Sequence, residues 1–443
     1  MATTEPETQQ PIPDLPESVE FVAVQWIDVH GSPKAKLVPR AAVPSLVEPG
    51  GGAGFAAFAN HGFARGPEHP EFLAVPDMST LVTLPHRPEI AVAMSTVMDG
   101  DEVATCDARS ILKRIQLEAA DEGLLPIVGM EPEFFLLRRT DTGDLAPYDV
   151  SDGLDKPCYD LGALLRGSHV LRDIVSTMQA LDWQVSAVDH EDGNGQYEVN
   201  FTHADALTTA DRYTMLRSMV ADIAGAHGAI ATFMPKPLAG RTGSGAHVHM
   251  SALDQDGDNA FEDEDDPRGL GLSKTAYSFV AGVLDHARAL AALTMPTVNS
   301  YRRVQASTTT SGATWAPNAV VYGANNRTGM IRIPGPGRFE NRGVDSSCNP
   351  YLALAGIVAA GLDGVRRGLD PGAPIEGASS GIGVPLLPRT LADALDALEL
   401  DTVLRDALGE EAICEFIAVK RHEWSSYMGA VSAWEVETYL SRA

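Results

Sequence analysis

A chain of 443 residues, 44% hydrophobic and 21% charged, has the composition of an ordinary soluble protein and is long enough for two domains. Its formal charge of −27 excludes the basic footprint that nucleic-acid binding needs, and no apolar run approaches the roughly 18 residues of a membrane span. The four cysteines (Cys106, Cys158, Cys348, Cys414) are scattered without a CxxC pair, which predicts reduced thiols in a cytoplasm and neither a disulfide framework nor a zinc site.

In chain order, residues 1–17 have no basic or apolar leader region and are expected to be a disordered tail. From 18 to 105 the pattern predicts a small β-rich domain. "VEFVAVQWIDVHGSPKAKLVP" is two strands around a His-Gly-Ser-Pro turn, followed by the long Gly-rich loop "EPGGGAGFAAFANHGFARGPEHPEF". At 106 a second domain begins. Asp107 is placed to cap a helix whose apolar residues Ile111, Leu112, Ile115 and Leu117 are expected on one side. Further helices are predicted at 168–182, 204–228, 273–294, 350–367 and from 411 onward, with strands between them. The acidic stretch "DQDGDNAFEDEDDP" reads as a solvated turn.

The chemistry is concentrated in strand-like segments. In "MEPEFFLL", Glu131 and Glu133 lie two apart, so a strand would set two carboxylates side by side on one face. "VDHEDGNGQYEVNF" brings Glu191 and Glu198 into one hairpin, and "GSGAHVHM" puts His247 and His249 on one face. "NNRTGMIRIPGPGRFENR" carries Arg327, Arg332, Arg338, Glu340 and Arg342, and "NSYRRV" adds Arg302 and Arg303. Each stretch alone has a plain structural explanation. Together they supply at least five Glu and one His, an oxygen-rich set that suits Mg²⁺ or Mn²⁺, beside guanidinium groups that suit phosphates and carboxylates. That combination is equipment for phosphoryl transfer. With no GxxxxGK[ST] and no GxGxxG between a strand and a helix, metals and arginines must hold the nucleotide.

On these motifs the sequence resembles the glutamine synthetase superfamily, from about Phe21 to the C-terminal helix. The resemblance implies an α+β chain: an N-terminal β-grasp domain, then a catalytic domain built as an open β-barrel of antiparallel strands with surrounding helices. It implies a homo-oligomer, a dodecamer of two hexameric rings with active sites between subunits. It also implies ATP-driven conversion of glutamate to γ-glutamyl phosphate, from which an amine displaces phosphate, with two to three Mg²⁺ or Mn²⁺ ions in each site. By the same resemblance, Glu133, Glu191 and Glu198 form one metal site and Glu131, His247 and Glu340 the other. Gly243, Arg303 and Arg342 then bind glutamate, and His249, Ser251 and Arg338 lie by the nucleotide. Arg327, Arg332 and Arg338 stabilise the transferring phosphoryl group. Asn349, in the "NPYL" segment, is given no chemistry.

Where ammonia-using members carry "FDGSS" and a "YEAP"-like flap, this chain has "FAAFA" and "TWAP", with Ala56 and Trp315 in place of two acids. Apolar and aromatic groups suit an alkylammonium better than NH₄⁺, so Phe55, Ala56, Phe58 and Trp315 are the expected amine pocket. The pattern is closest to the γ-glutamylmethylamide synthetase branch, and the absence of Tyr from "GAPIEGASSGIGVPLLP" predicts no control by adenylylation. The alternatives are an ammonia-using glutamine synthetase; a ligase for a polyamine, ethanolamine or isopropylamine, with Glu68 and Glu71 for a distal ammonium; and an inactive relative. Which group takes the proton of the amine stays open, with Glu191 and Asp192 in the right motif.

Overall fold

The computed structural model describes residues 11–63, 65–305, 309–379 and 383–442. Residues 1–10 of the expected tail lie outside them, as do three residues each of the flap and of the "GASSGIG" stretch. The first strands are β1 (Phe21–Ile27), β2 (Pro33–Pro39), β3 (Ala53–Phe55), β4 (Phe72–Pro76), β5 (Val82–Leu84), β6 (Arg87–Asp99) and β7 (Glu102–Val103). They form one seven-stranded mixed sheet in which β1 pairs antiparallel with β2 and parallel with β6. One face packs its own small core of Val24, Trp26, Phe55, Phe63 and Phe72. Ala23, Val92 and Met94 instead share a core with residues of the following region, among them Phe134 and Leu216. Buried Arg109 ties the two regions by ion pairs to Asp77 (3.1 Å) and Asp211 (2.9 Å).

Asp107 caps α1 (Ala108–Asp121) by accepting from Ser110 N. Ile111, Leu112 and Ile115 are buried as expected, but Leu117 is 56% exposed. Two residues beyond Ile115 is about 200° around the helix, so Leu117 falls on the opposite face. The chain continues through β8 (Leu125–Arg139), β9 (Leu145–Pro147), α2 (Leu161–Ala180), β10 (Val185–His190), β11 (Gln196–Phe201), β12 (Ala204–Asp205), α3 (Ala206–Ala226), β13 (Ile230–Thr232) and β14 (Ala246–Leu253). Helices α4 (Lys274–Asp285), α5 (Ala287–Thr294) and α6 (Ser300–Val304) follow, then β15 (Ala319–Ala324), β16 (Gly329–Gly335) and β17 (Arg338–Asn341). The last helices are α7 (Pro350–Arg367), α8 (Leu391–Leu400), α9 (Thr402–Leu408), α10 (Glu410–Gly429) and α11 (Ala433–Tyr439).

Ten strands form the expected open barrel, ordered β10-β11-β8-β14-β17-β16-β15, with β9, β12 and β13 also paired to β8. It is antiparallel except for the β15/β16 pair, which runs parallel. α7 runs through the main core with fourteen buried residues. It starts at Asn349, whose side chain accepts from Tyr351 N and Leu352 N and donates to the carbonyls of Asp28 and Val29, a structural role throughout. α2 begins at Leu161, well before the expected 168, because Asp160 caps it. The helix expected over 273–294 is broken at His286. α8 and α9 were absent from the sequence reading, their apolar residues being spread over short segments. The acidic stretch is not solely solvated: Phe261 is fully buried, and Asp266 accepts from the amides of Arg268, Leu270 and Leu272. Among the described residues no helix is long and apolar enough to cross a membrane.

Candidate active site

Strand pairing assembles the site. β8 lies between β11 and β14, and its register sets Glu133 opposite Glu198 and Glu131 opposite His247. β17 joins the other side of β14 with Glu340 opposite His249, and β16 sets Arg332 opposite Glu340. Six carboxylates or imidazoles therefore come to one patch through backbone pairing alone.

The ligand-type atoms of Glu131, His247 and Glu340 lie within 4.8 Å of one another, and so do those of Glu133, Glu198 and His247. Nδ1 of His247 is 3.2 Å from Glu131 Oε2 and 3.4 Å from Glu340 Oε1, while its Nε2 is 3.9 Å from Glu133 Oε1. Glu191 stands outside both triads but faces the same cleft, whose free space is about 190 Å³. The carboxylates here crowd one another. Burial, then the charges of Glu133 and Asp189, push Glu191 up to about 8. Burial followed by Glu131 and Glu133 raises Glu198 well above the carboxylate range. In Glu131, hydrogen bonds to His247 and His249 overcome an opposing burial effect and hold the carboxyl low. In Glu340, His247 and Arg342 do the same. Hard oxygen donors with one imidazole, two of them pushed upward by crowding, fit divalent metal ions.

Neighbouring groups hold these side chains in place. Glu133 accepts from Gln196 Nε2 at 2.7 Å and from Gly245 N at 2.9 Å. Glu340 bridges two guanidinium groups, Arg332 Nη1 at 2.8 Å and Arg342 Nη1 at 2.6 Å. Gly243 gives its carbonyl to Gln196 Nε2, and a β-carbon there would stand 2.2 Å from Pro235 O, so only glycine fits. Among the described residues, buried Arg303 Nη1 and Arg342 Nε have no hydrogen-bond partner, and both residues line the cleft, which leaves two donors for an anion.

Of the sequence-predicted residues, the cleft gathers Glu131, Glu133, Glu191, Glu198, His247, Gly243, Arg303, Arg327, Arg332, Arg342 and Trp315. Glu340 lies beneath it, fully buried. His249 touches it through Glu131, at 2.8 Å. Ser251 is two residues further along β14, and Arg338 is exposed at the start of β17, so neither lines it. Phe55, at the end of β3, and Ala56 and Phe58, in the short helical turn that follows it, do not line the cleft. The Phe55 ring is buried and stacked on Trp26 at 4.2 Å, so it is a core residue and offers no surface to an amine. Phe58 projects outward, 54% exposed. Arg302 points away from the cleft, donating to Tyr427 Oη. The sequence reading missed Gln196, Thr242, Asp189 and Tyr159 as cleft residues. Gln196 could have been found, since it sits two residues before Glu198 and thus shares its strand face.

Comparison with known proteins now decides the family. A model of the glutamine synthetase catalytic domain matches residues 105–439. The chain belongs to the glutamine synthetase family. It is a ligase of that family, whose members use ATP and divalent metals. The glutamate–methylamine ligase of Methyloversatilis universalis is 44% identical over 431 residues, covering 95% of this chain and 96% of that protein. A glutamine synthetase of Rhizobium meliloti is also 44% identical over 431 residues, covering 96% and 97%. A solved structure described as a GmaS/ADP complex has a TM-score of 0.90 at 42% identity, covering 96% of this chain and 97% of that one. Relatives of equal identity thus carry different names, and the choice of amine rests on the cleft.

Proposed function

We propose that this ligase joins the γ-carboxylate of L-glutamate to a short alkylamine of methylamine type, consuming ATP and releasing ADP and phosphate. The observation that carries the reading is Trp315. Its indole lines the acidic cleft beside Arg303 and Arg342, where a site for NH₄⁺ needs added negative charge.

Arg303 and Arg342, with their unpartnered buried donors, bind and orient the substrate carboxylate, and Gly243 lets backbone approach it. Glu131, His247 and Glu340 would hold one divalent ion and Glu133, Glu191 and Glu198 the other, Mg²⁺ or Mn²⁺. When bound, such ions supply charge neutralisation and Lewis acidity. A γ-carboxylate oxygen of glutamate attacks the terminal phosphorus of ATP and ADP leaves, while Arg327 and Arg332 offset charge on the moving phosphoryl group and Arg338 meets the nucleotide at the rim. His249 and Ser251 are assigned to the nucleotide side. The amine nitrogen then attacks the acyl carbon, phosphate departs, and the ammonium proton is lost. Ala56 and Phe58, which do not line this chain's own cleft, would complete the amine pocket of a neighbouring subunit in a dodecamer, and the reduced cysteines suit a cytoplasmic enzyme.

The test is phosphate release with glutamate, ATP and Mg²⁺ or Mn²⁺, with ammonia, methylamine, ethylamine, isopropylamine, ethanolamine and putrescine run in parallel. A short alkylamine should exceed ammonia by about tenfold in kcat/KM, roughly 1.4 kcal/mol of transition-state discrimination. Equal or better turnover of ammonia overturns the reading. It would favour the second one, an ammonia-using glutamine synthetase, which the Rhizobium meliloti relative and the carboxylates of Glu191 and Asp192 in the cleft support.

A further inference from the structure

Asp192 follows Glu191 directly, yet its carboxylate does not join the acidic floor. It turns to the flap. Its Oδ2 accepts from the indole Nε1 of Trp315 at 2.9 Å and from the hydroxyl of Ser311. An indole has one N–H, so Asp192 is its sole acceptor, and a bond to a carboxylate is of the stronger, charge-assisted kind. Asp192 is only 6% exposed, whereas Trp315 is 44% exposed and belongs to a stretch without regular secondary structure. Trp315 also has φ +56°, a left-handed conformation that disfavours residues with a β-carbon. With so much of its surface open and its backbone disfavoured, packing alone does not fix the indole. Two tethers do: the bond to Asp192 and the bond from Arg342 Nη2 to the Trp315 carbonyl at 3.1 Å. The second holds the backbone, and only the first sets where the ring lies.

We infer that Asp192 is a positioning residue for amine selectivity: its carboxylate latches the Trp315 indole in place as the apolar wall of the amine pocket. This rests on the proposed function, because it gives the cleft an amine to select. Freed of the latch, the ring would leave the wall, and an alkyl group would lose its apolar contact while ammonia would lose nothing.

The experiment compares Asp192→Ala, Asp192→Asn, Trp315→Phe and the Asp192→Ala/Trp315→Phe double variant. Each is measured for kcat and KM with methylamine and with ammonia, and for acrylamide quenching of tryptophan fluorescence in the substrate-free protein. Asp192→Ala should raise the KM for methylamine about tenfold at nearly constant kcat, leave ammonia within about twofold, and increase quenching. Asp192→Asn keeps an acceptor oxygen and should retain most of the selectivity. Trp315→Phe should match Asp192→Ala in selectivity, and the double variant should be no worse than either, as for two residues acting as one unit. Additive losses overturn the latch, as does quenching that Asp192→Ala leaves unchanged. A matched fall in kcat with both amines also overturns it, since Asp192 would then act on the floor through Glu191. Quenching that rises without a change of selectivity shows an anchored ring with no part in choosing the amine. A wild-type enzyme that prefers ammonia strikes the functional reading instead, and the quenching series still reads the latch.

Discussion

On the floor of the cleft, Glu131, Glu133, Glu198, His247 and Glu340 occupy paired positions of four adjacent strands; on its wall, Asp192, Ser311 and Trp315 come from a turn and from an irregular segment. Floor residues are fixed many times over, by ladder bonds, by neighbours such as Gln196 and by ion pairs to Arg332 and Arg342. Wall residues depend on a few hydrogen bonds, from Trp315 and Ser311 to Asp192 and from Arg342 to the Trp315 carbonyl. On the proposed function, charge chemistry sits on rigid strands, and the choice of nucleophile sits where one substitution can move it.

Breaking the floor should have the largest effect. Glu340→Ala takes the carboxylate partner from buried Arg342 and from half-buried Arg332, and phosphate release should fall on the order of 10³-fold. Removal of one partner of such a pair also costs about 3–5 kcal/mol of stability, visible as a lower melting temperature. Activity within tenfold of wild type would show that the floor does not carry the chemistry. Metal removal should follow in size. With EDTA the crowded carboxylates of Glu191 and Glu198 face each other uncompensated, and adding Mg²⁺ or Mn²⁺ at about a hundred times its Kd should stabilise the fold by about 2.7 kcal/mol. A melting temperature indifferent to both ions would remove them from the floor.

The wall should respond more gently. Trp315→Glu replaces an aromatic face with a second carboxylate beside Asp192, and the methylamine-to-ammonia ratio of kcat/KM should fall about tenfold, roughly 1.4 kcal/mol. An unchanged ratio would take Trp315 out of the amine pocket. The smallest effect belongs to a remote control. His286 joins α4 to α5 and donates from Nδ1 to Asp401 Oδ2 at 2.6 Å and from Nε2 to Asp363 Oδ2 at 3.1 Å. Burial alone would lower its pKa, but the bonds to Asp401 and Asp363 outweigh it and raise it above 6.5. A raised folded-state pKa gives stability that is full below about pH 6.5 and lost as the pH climbs through the folded value. His286→Gln should therefore lower stability by about 1 kcal/mol at pH 6, with the gap closing toward pH 9 and activity nearly unchanged. A gap that widens with pH would mean the ring is neutral in the folded protein.

The same division decides what could be read from the sequence. Glu131 and Glu133 were legible because a two-residue period in an apolar strand forces a shared face, and the Asp107 cap because it precedes a well-marked helix. Leu117 misled because apolar character alone does not place a residue, and its position about 200° from Ile115 puts it on the opposite face of α1. Phe55 misled because a loop sequence does not reveal that its ring turns back onto Trp26. The bond from Trp315 to Asp192 spans 123 positions between two irregular stretches, and no periodicity reports such a meeting.

One consequence of the floor concerns His247, which turns one nitrogen to each triad. A neutral imidazole has a single lone pair; its other nitrogen carries a hydrogen. If the two triads that share His247 are the seats of the proposed ions, they would be chemically unequal, and the seat that takes the lone pair would fix which tautomer the other must meet. Occupancy at one would then influence affinity at the other through a single ring, and titration with metal should show two unlike steps in place of one doubled isotherm.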